Sequence, residues 1–447
     1  MSSLPSSEQI AAIARQLLSE RYGEDVIFND VAELTGSSSS VVLRAKVAPT
    51  AVLQQRSIVI KYNPASGDPL DDAALIREVV SYQFTTALPE DVRPGPVLLA
   101  YDIDHRILVI SDAGEADTFD HLLDIEDSSA RVALLRTLGQ AVGRMHAGTA
   151  QREQNFDILL SRMLQRYPDT RELHELRDAS LLGAIDVGID LLKASQVEIS
   201  PAVVTLAQQA KRRLSSGQHR AFTPFDLSPD NIIYADRTGA ERSAVERVKF
   251  LDYEWAGFRD ATFDVACVIA GFPQYLFSRT LNAEESDAFI RSWADAVRGL
   301  WPNVDNRERL NARIITALLG WAFASVSYLY YGSMSQLVNQ MSSSSQVQSG
   351  QAGDIPSAQA EALATATATY ALDDVDYDIL IGGSLDSVLN EGGDARKDLH
   401  ETFAAIVTFA RRCAEEPAGD DVVLHGQFLE VADFAAVVCA RLEQLRS

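Results

Sequence analysis

The chain predicts an α+β fold of two lobes or domains, on three observations. Strand-type apolar runs bounded by turn residues fill the first quarter, and helical spacing dominates from there on. At 447 residues with 47% apolar content, the chain is globular and longer than one core normally serves. The expected organisation is a first lobe over 1–112 and a second, mostly helical lobe over 113–332. A Ser/Gln/Ala-rich linker over 333–372 and a helical extension over 373–447 follow.

Ile10, Ile13, Ala14, Leu17 and Leu18 recur at helical spacing between Ser6 or Ser7 and Gly23, so an amphipathic helix opens the chain. Strands are expected at 26–34, 41–47 and 57–62, with the small-residue turn Thr35-Gly36-Ser37-Ser38-Ser39-Ser40 between the first two. Such a turn lets backbone N–H groups and hydroxyls approach phosphates, which makes Gly36, Ser37 and Ser38 candidate nucleotide contacts; an ordinary Ser-rich hairpin fits the same residues. Lys61 ends the third strand and Glu78 lies in the helix that follows. Alone, they read as a strand-end surface lysine and a helix-face charge; the motifs further on make them a phosphate anchor. Residues 96–99 and 106–110 pair as a hairpin, and 130–149 form a long helix containing His146. Helices follow at 283–300, 306–331, 397–413 and 428–445. The run Asp373, Asp374, Asp376, Asp378 lacks the Gly and closing Glu of a calcium loop and reads as a solvated turn. The charge-free stretch 314–331 reaches the minimum length of a membrane span, and a buried helix is favoured over a span.

Two runs carry chemistry. In Phe225-Asp226-Leu227-Ser228-Pro229-Asp230-Asn231 an Asp precedes an Asn by five positions, and apolar Ile232, Ile233 and Tyr234 follow. In the second, Val248, Phe250 and Leu251 lead into Asp252. A hairpin would bring both carboxylates and the Asn amide to one end of adjacent strands. Phosphoryl transfer needs one carboxylate to orient or deprotonate the attacking hydroxyl, and an Asn and an Asp to hold magnesium. Turn formers alone could also explain the first run.

The first run resembles the catalytic loop of the aminoglycoside phosphotransferase and choline kinase superfamily, His-Gly-Asp-x-x-x-x-Asn. Asp252, Gly257, Asp260, Asp264, Val265 and Ala266 match its second motif. The family's His is Pro224 here and its Gly is Phe225, so the brace of the loop must come from elsewhere. The resemblance implies a protein-kinase-like fold, an antiparallel N-lobe sheet with one helix above a mostly helical C-lobe. It implies ATP or GTP as co-substrate with Mg2+, Asp226 as catalytic carboxylate, and Asn231 and Asp252 as metal ligands. It further implies adenine contacts from the backbone around Ser111 and Ala113, and structural roles for His146, Asp260 and Asp264. The acceptor would be a small molecule's hydroxyl, as in an aminoglycoside, choline, an amino alcohol or a sugar. The alternative is a catalytically weak or inactive nucleotide-binding protein of the same fold, for which Pro224 speaks.

A net charge of −24 repels polyphosphate backbones, so no nucleic-acid partner is expected, and it leans slightly toward an amine-bearing acceptor. Cys267, Cys413 and Cys439 lack metal spacing and read as buried reduced thiols. With no basic region and apolar core at the start, a cytoplasmic address is expected.

Overall fold

The computed structural model describes residues 4–34, 40–68, 70–114, 116–235, 248–274, 280–331, 336–337, 380, 392–416 and 422–443. The candidate loop Gly36, Ser37 and Ser38, the acidic run 373–378 and nearly all of the expected linker lie outside them.

Helix α1 (Ser7–Tyr22) opens with a capping box between Ser6 and Gln9 and ends on left-handed Gly23. Strands β1 (Phe28–Leu34), β2 (Val41–Val47), β3 (Ser57–Tyr62), β4 (Leu98–Asp102) and β5 (Ile107–Ser111) form an antiparallel sheet in the order β1-β2-β3-β5-β4. Side chains alternate along a strand, so Ile58 and Ile60 join α1 in one core and leave Lys61 on the other face. There α2 (Leu70–Thr86) packs, burying Leu75, Ile76, Val79 and Tyr82 in the larger core that continues into the helical lobe. The sheet is thus sandwiched between one small core and one shared core.

The second lobe begins with β6 (Asp117–Thr118), α3 (Phe119–Leu123), α4 (Ser128–Thr149), α5 (Glu153–Arg166), α6 (Arg171–Ala194) and α7 (Pro201–Ser215). Four short strands follow: β7 (Arg220–Thr223), β8 (Ile232–Tyr234), β9 (Val248–Phe250) and β10 (Gly257–Asp260). Helices α8 (Thr262–Ile269), α9 (Ala283–Val297), α10 (Arg307–Tyr331), α11 (Gly392–Glu415) and α12 (Val422–Glu443) complete the described chain. The charge-free stretch lies in α10, where Ile314, Leu318, Phe323 and Val326 are fully buried among α6, α7, α8 and α11. Its hydroxyls are satisfied internally, with Ser327 donating to the Ala184 carbonyl at 2.5 Å. By length and composition α12 is also apolar enough to cross a membrane, a property the sequence reading assigned only to α10.

Candidate active site

Strands β8 and β9 pair antiparallel, with Ile232 opposite Phe250 and Tyr234 opposite Val248. Asn231 precedes the first and Asp252 follows the second, so both leave the ladder at the same end. The Leu251 N–H donates to the Asn231 carbonyl at 2.9 Å, which fixes their relative height. A second pairing, β7 with β10, was not foreseen from the sequence; it sets Thr223 opposite Gly257 and Phe222 opposite Phe258. Loop 224–231 and loop 251–256 therefore each start and end on strands paired with the other's. Two short ladders thereby hold Asp226, Asn231 and Asp252 at one edge.

Both loops need unusual backbone. Phe225 and Asp252 have φ of 65° and 55°, in the left-handed region. Asp tolerates this region; for Phe it costs about 1–2 kcal/mol. Packing offsets that cost, since the Phe225 ring stacks on Trp321 at 4.9 Å and carries the Arg259 guanidinium at 4.5 Å. A Gly at this position could not make those contacts. Further bracing comes from α4 and α8: Trp293 Nε1 donates to His146 Nδ1 at 2.9 Å, so His146 carries its proton on Nε2 and donates it to Asp264 at 3.0 Å. The Asp264 carboxylate also draws on the backbone N–H of Phe225. Here a histidine from α4, acting through Asp264, steadies the loop that contains Pro224. Asp260 accepts from the Thr262 backbone and hydroxyl and pairs with Arg313, tying the start of α8 to α10. Gly95 lies where the chain entering β4 crosses β9; a Cβ there would stand 2.5 Å from the Phe250 carbonyl.

Lys61 joins the lobes. Its Nζ donates to Glu78 Oε1 at 2.9 Å and to Asp252 Oδ1 at 3.0 Å. Burial alone would lower the ammonium pKa, but Asp252 and Glu78 hold it well above its ordinary value, so it stays charged. Burial pushes the Glu78 carboxyl up to about 7 against the pull of Lys61. Asp226 is pushed up to about 8, first by burial and then by the negative charge of Asp252, Glu254 and Asp230. This site holds more carboxylate charge than Lys61 can balance, and the Asn231 amide makes no hydrogen bond among the described residues. Asn231 and Asp252 are oxygen donors of the kind that would hold a divalent cation there. No group of three or more His, Cys, Asp or Glu that could hold a metal ion occurs among the described residues.

At the expected hinge, the Ser111 N–H is committed to the Val97 carbonyl at 2.8 Å and its hydroxyl accepts from the Val97 N–H. Ser111 thus spends its polar groups on the sheet, whereas the Ala113 backbone N–H has no partner among the described residues. Asp112 locks the hinge to the sheet by accepting from Ser57 at 2.7 Å and pairing with Arg44 at 2.9 Å.

No protein-family model matches the chain, and no curated protein does. Solved structures similar to it include a choline kinase from Cryptosporidium parvum Iowa II, 11% identical, with 75% of this chain and 92% of that chain covered and a TM-score of 0.39. A choline kinase from Streptococcus pneumoniae is 14% identical, with 81% and 99% covered and a TM-score of 0.37. An ADP-bound aminoglycoside phosphotransferase is 15% identical, with 74% and 97% covered and a TM-score of 0.38.

Several residues at the cleft carry no motif. Tyr82 on α2 reaches the Asp252 backbone with its hydroxyl. Arg177 lies over the Trp255 ring at 3.7 Å and donates to the Glu254 carbonyl at 2.9 Å. Arg259 donates to the Trp255 carbonyl at 2.9 Å. In the sequence, the only signal for the α6 members is His174, Arg177 and Asp178 at helical spacing on one face.

Proposed function

We propose that the protein transfers the γ-phosphoryl group of ATP or GTP to the hydroxyl of a small molecule. The observation that carries this is the single cleft formed by Lys61, Glu78 and Asp252, with Asp226 and Asn231 on the adjoining loop. Lys61, held by Glu78, presents its ammonium to the nucleotide phosphates. Asp226 orients the acceptor hydroxyl and takes its proton as the new P–O bond forms and the bond to the β–γ bridging oxygen breaks. Burial and the neighbouring carboxylates hold Asp226 up at about 8 in the free site, and a cation beside Asp252 would lower it toward the ionised form that accepts a proton. Asn231 and Asp252 would hold the magnesium, which supplies charge neutralisation on the phosphates.

Asp226→Asn should leave magnesium-nucleotide binding within about twofold while transfer falls by at least about a hundredfold, the worth of a positioned acid–base group. Nucleotide turnover is followed by coupled ADP release; retained turnover in this variant removes Asp226 from the chemistry. The rival reading, a nucleotide-binding protein without turnover, rests on Pro224. Against it stands the His146–Asp264 pair, which supplies a brace that Pro224 cannot.

A further inference from the structure

Arg177 is 5% exposed; the Glu254 and Asp178 carboxylates act on it from a distance, but among the described residues none stands within salt-bridge distance. Its one hydrogen bond among the described residues goes to a backbone carbonyl, leaving four N–H donors of the guanidinium without an acceptor there. A buried cation in that state is costly unless an anion reaches it. Two more guanidinium groups share the wall. Arg77, on α2 beside Glu78, pairs with Asp178 at 2.9 Å, and Arg259 stands 3.7 Å from the other oxygen of the same carboxylate. Enclosure by surrounding protein would raise the Asp178 carboxyl, but Arg77 and Arg259 hold it below its ordinary range. Its side chain is still 54% exposed. His174, one turn earlier on α6, is buried with neither ring nitrogen hydrogen-bonded. Burial and the charge of Arg77 push its pKa down to about 3, so this imidazole is neutral and offers one more N–H donor.

The cluster adjoins loop 251–256, where Arg177 and Arg259 donate to the Glu254 and Trp255 carbonyls. Tyr328 feels Arg259, Arg177 and Asp226 together, and it lines an apolar cavity with Phe225, Phe263, Trp321 and Ala324. The Glu254 carbonyl that Arg177 grips lies two residues past Asp252.

We propose that the acceptor carries an oxyanion, a carboxylate or a phosphate, which Arg177 and Arg259 bind while its hydroxyl meets Asp226. This rests on the phosphotransferase reading of the site and reverses the amine-bearing acceptor that the net charge suggested. Planar guanidinium forks suit bidentate recognition of such groups, and the Arg177 fork is pre-oriented by its stack on Trp255.

The test is calorimetric titration of glycerate and glycerol 3-phosphate, with glycerol and ethanolamine as uncharged and cationic counterparts. Each is added to the full chain alone and saturated with magnesium-ADP. Both or either anion should bind at least about tenfold more tightly than the counterparts, the worth of a charge-assisted contact. Which of the two does so separates a carboxylate from a phosphate site. Arg177→Gln should remove that preference and Lys61→Met should keep it; Arg177→Lys, which keeps the charge but not the fork, should fall between and serves if the glutamine variant misfolds. Equal binding of anions and counterparts overturns the proposal. So does loss of anion binding in Lys61→Met rather than Arg177→Gln, since the anions would then be occupying the nucleotide side. Absence of magnesium-ADP binding would remove the phosphotransferase reading instead, and the anion preference would still be read on the chain without nucleotide.

Discussion

The Asp226 carboxyl is pushed up to about 8 when no cation is bound, against an ordinary value near 4. Between those values the native chain holds a proton that the unfolded chain has lost, so the contribution of Asp226 to stability falls as pH rises from about 4 to about 8. Asp226→Asn should therefore raise the melting midpoint in chelator, and by more at pH 8 than at pH 5; an equal gain at both would mean the carboxyl is not perturbed. His174 has the opposite sign. Burial depresses it from 6.5 to about 3, so its neutral form adds stability that is complete above pH 6.5 and is lost as pH falls toward 3. Replacing it with Gln should flatten the acid limb of the stability profile, measured by denaturant midpoints. Asp252→Ala should weaken magnesium-nucleotide binding itself, and equal affinity by calorimetry would remove Asp252 from the metal site. Of the site residues, those on the two motif loops were legible because Asp226, Asn231 and Asp252 are fixed by short-range spacing. Arg177 and His174 were not, since their meaning depends on what faces them across the cleft.

Helices α6 and α10 cross at Gly188, where a Cβ would stand 1.9 Å from the Phe323 carbonyl oxygen. Gly188→Ala gains up to about 1 kcal/mol of helix propensity, but the clash is with backbone that cannot swing aside, and overpacking of this kind costs about 1–3 kcal/mol. The net effect should be destabilisation. Gly426 on α12 is the control: an added Cβ meets nothing within 4 Å, so Gly426→Ala should be neutral or stabilise by up to about 1 kcal/mol. Opposite signs in paired thermal melts check the α6–α10 crossing, and stabilisation by both would mean that the crossing is looser. Element existence was readable wherever periodicity was long, as in α4, α10 and the five-stranded sheet. The pairing of β7 with β10 was not, because both are four-residue strands. Strands that short carry no periodicity, and they pair across more than thirty intervening residues.

At the scale of the molecule, magnesium-ATP at about a hundred times its dissociation constant should add roughly 2.7 kcal/mol, a rise of about two degrees for a chain this long. The rise should need magnesium and vanish in Asp252→Ala; a rise independent of both would place the nucleotide elsewhere. Net charge misleads at this scale: the chain carries −24, yet three arginines gather on one wall of the cleft. Charge summed over a surface sets solubility and long-range steering, whereas a site is governed by what lies within a few ångströms. The sequence by itself determined the class of fold, its longer elements and the spacing of Asp226, Asn231 and Asp252, because each depends on residues close together in the chain. Only the tertiary structure decided that Lys61 meets both Glu78 and Asp252, that His146 and Asp264 help steady the loop behind Pro224, and that Arg177 grips the Glu254 carbonyl. These are contacts between residues 17 to 191 positions apart, set by how helices and strands pack rather than by any local pattern.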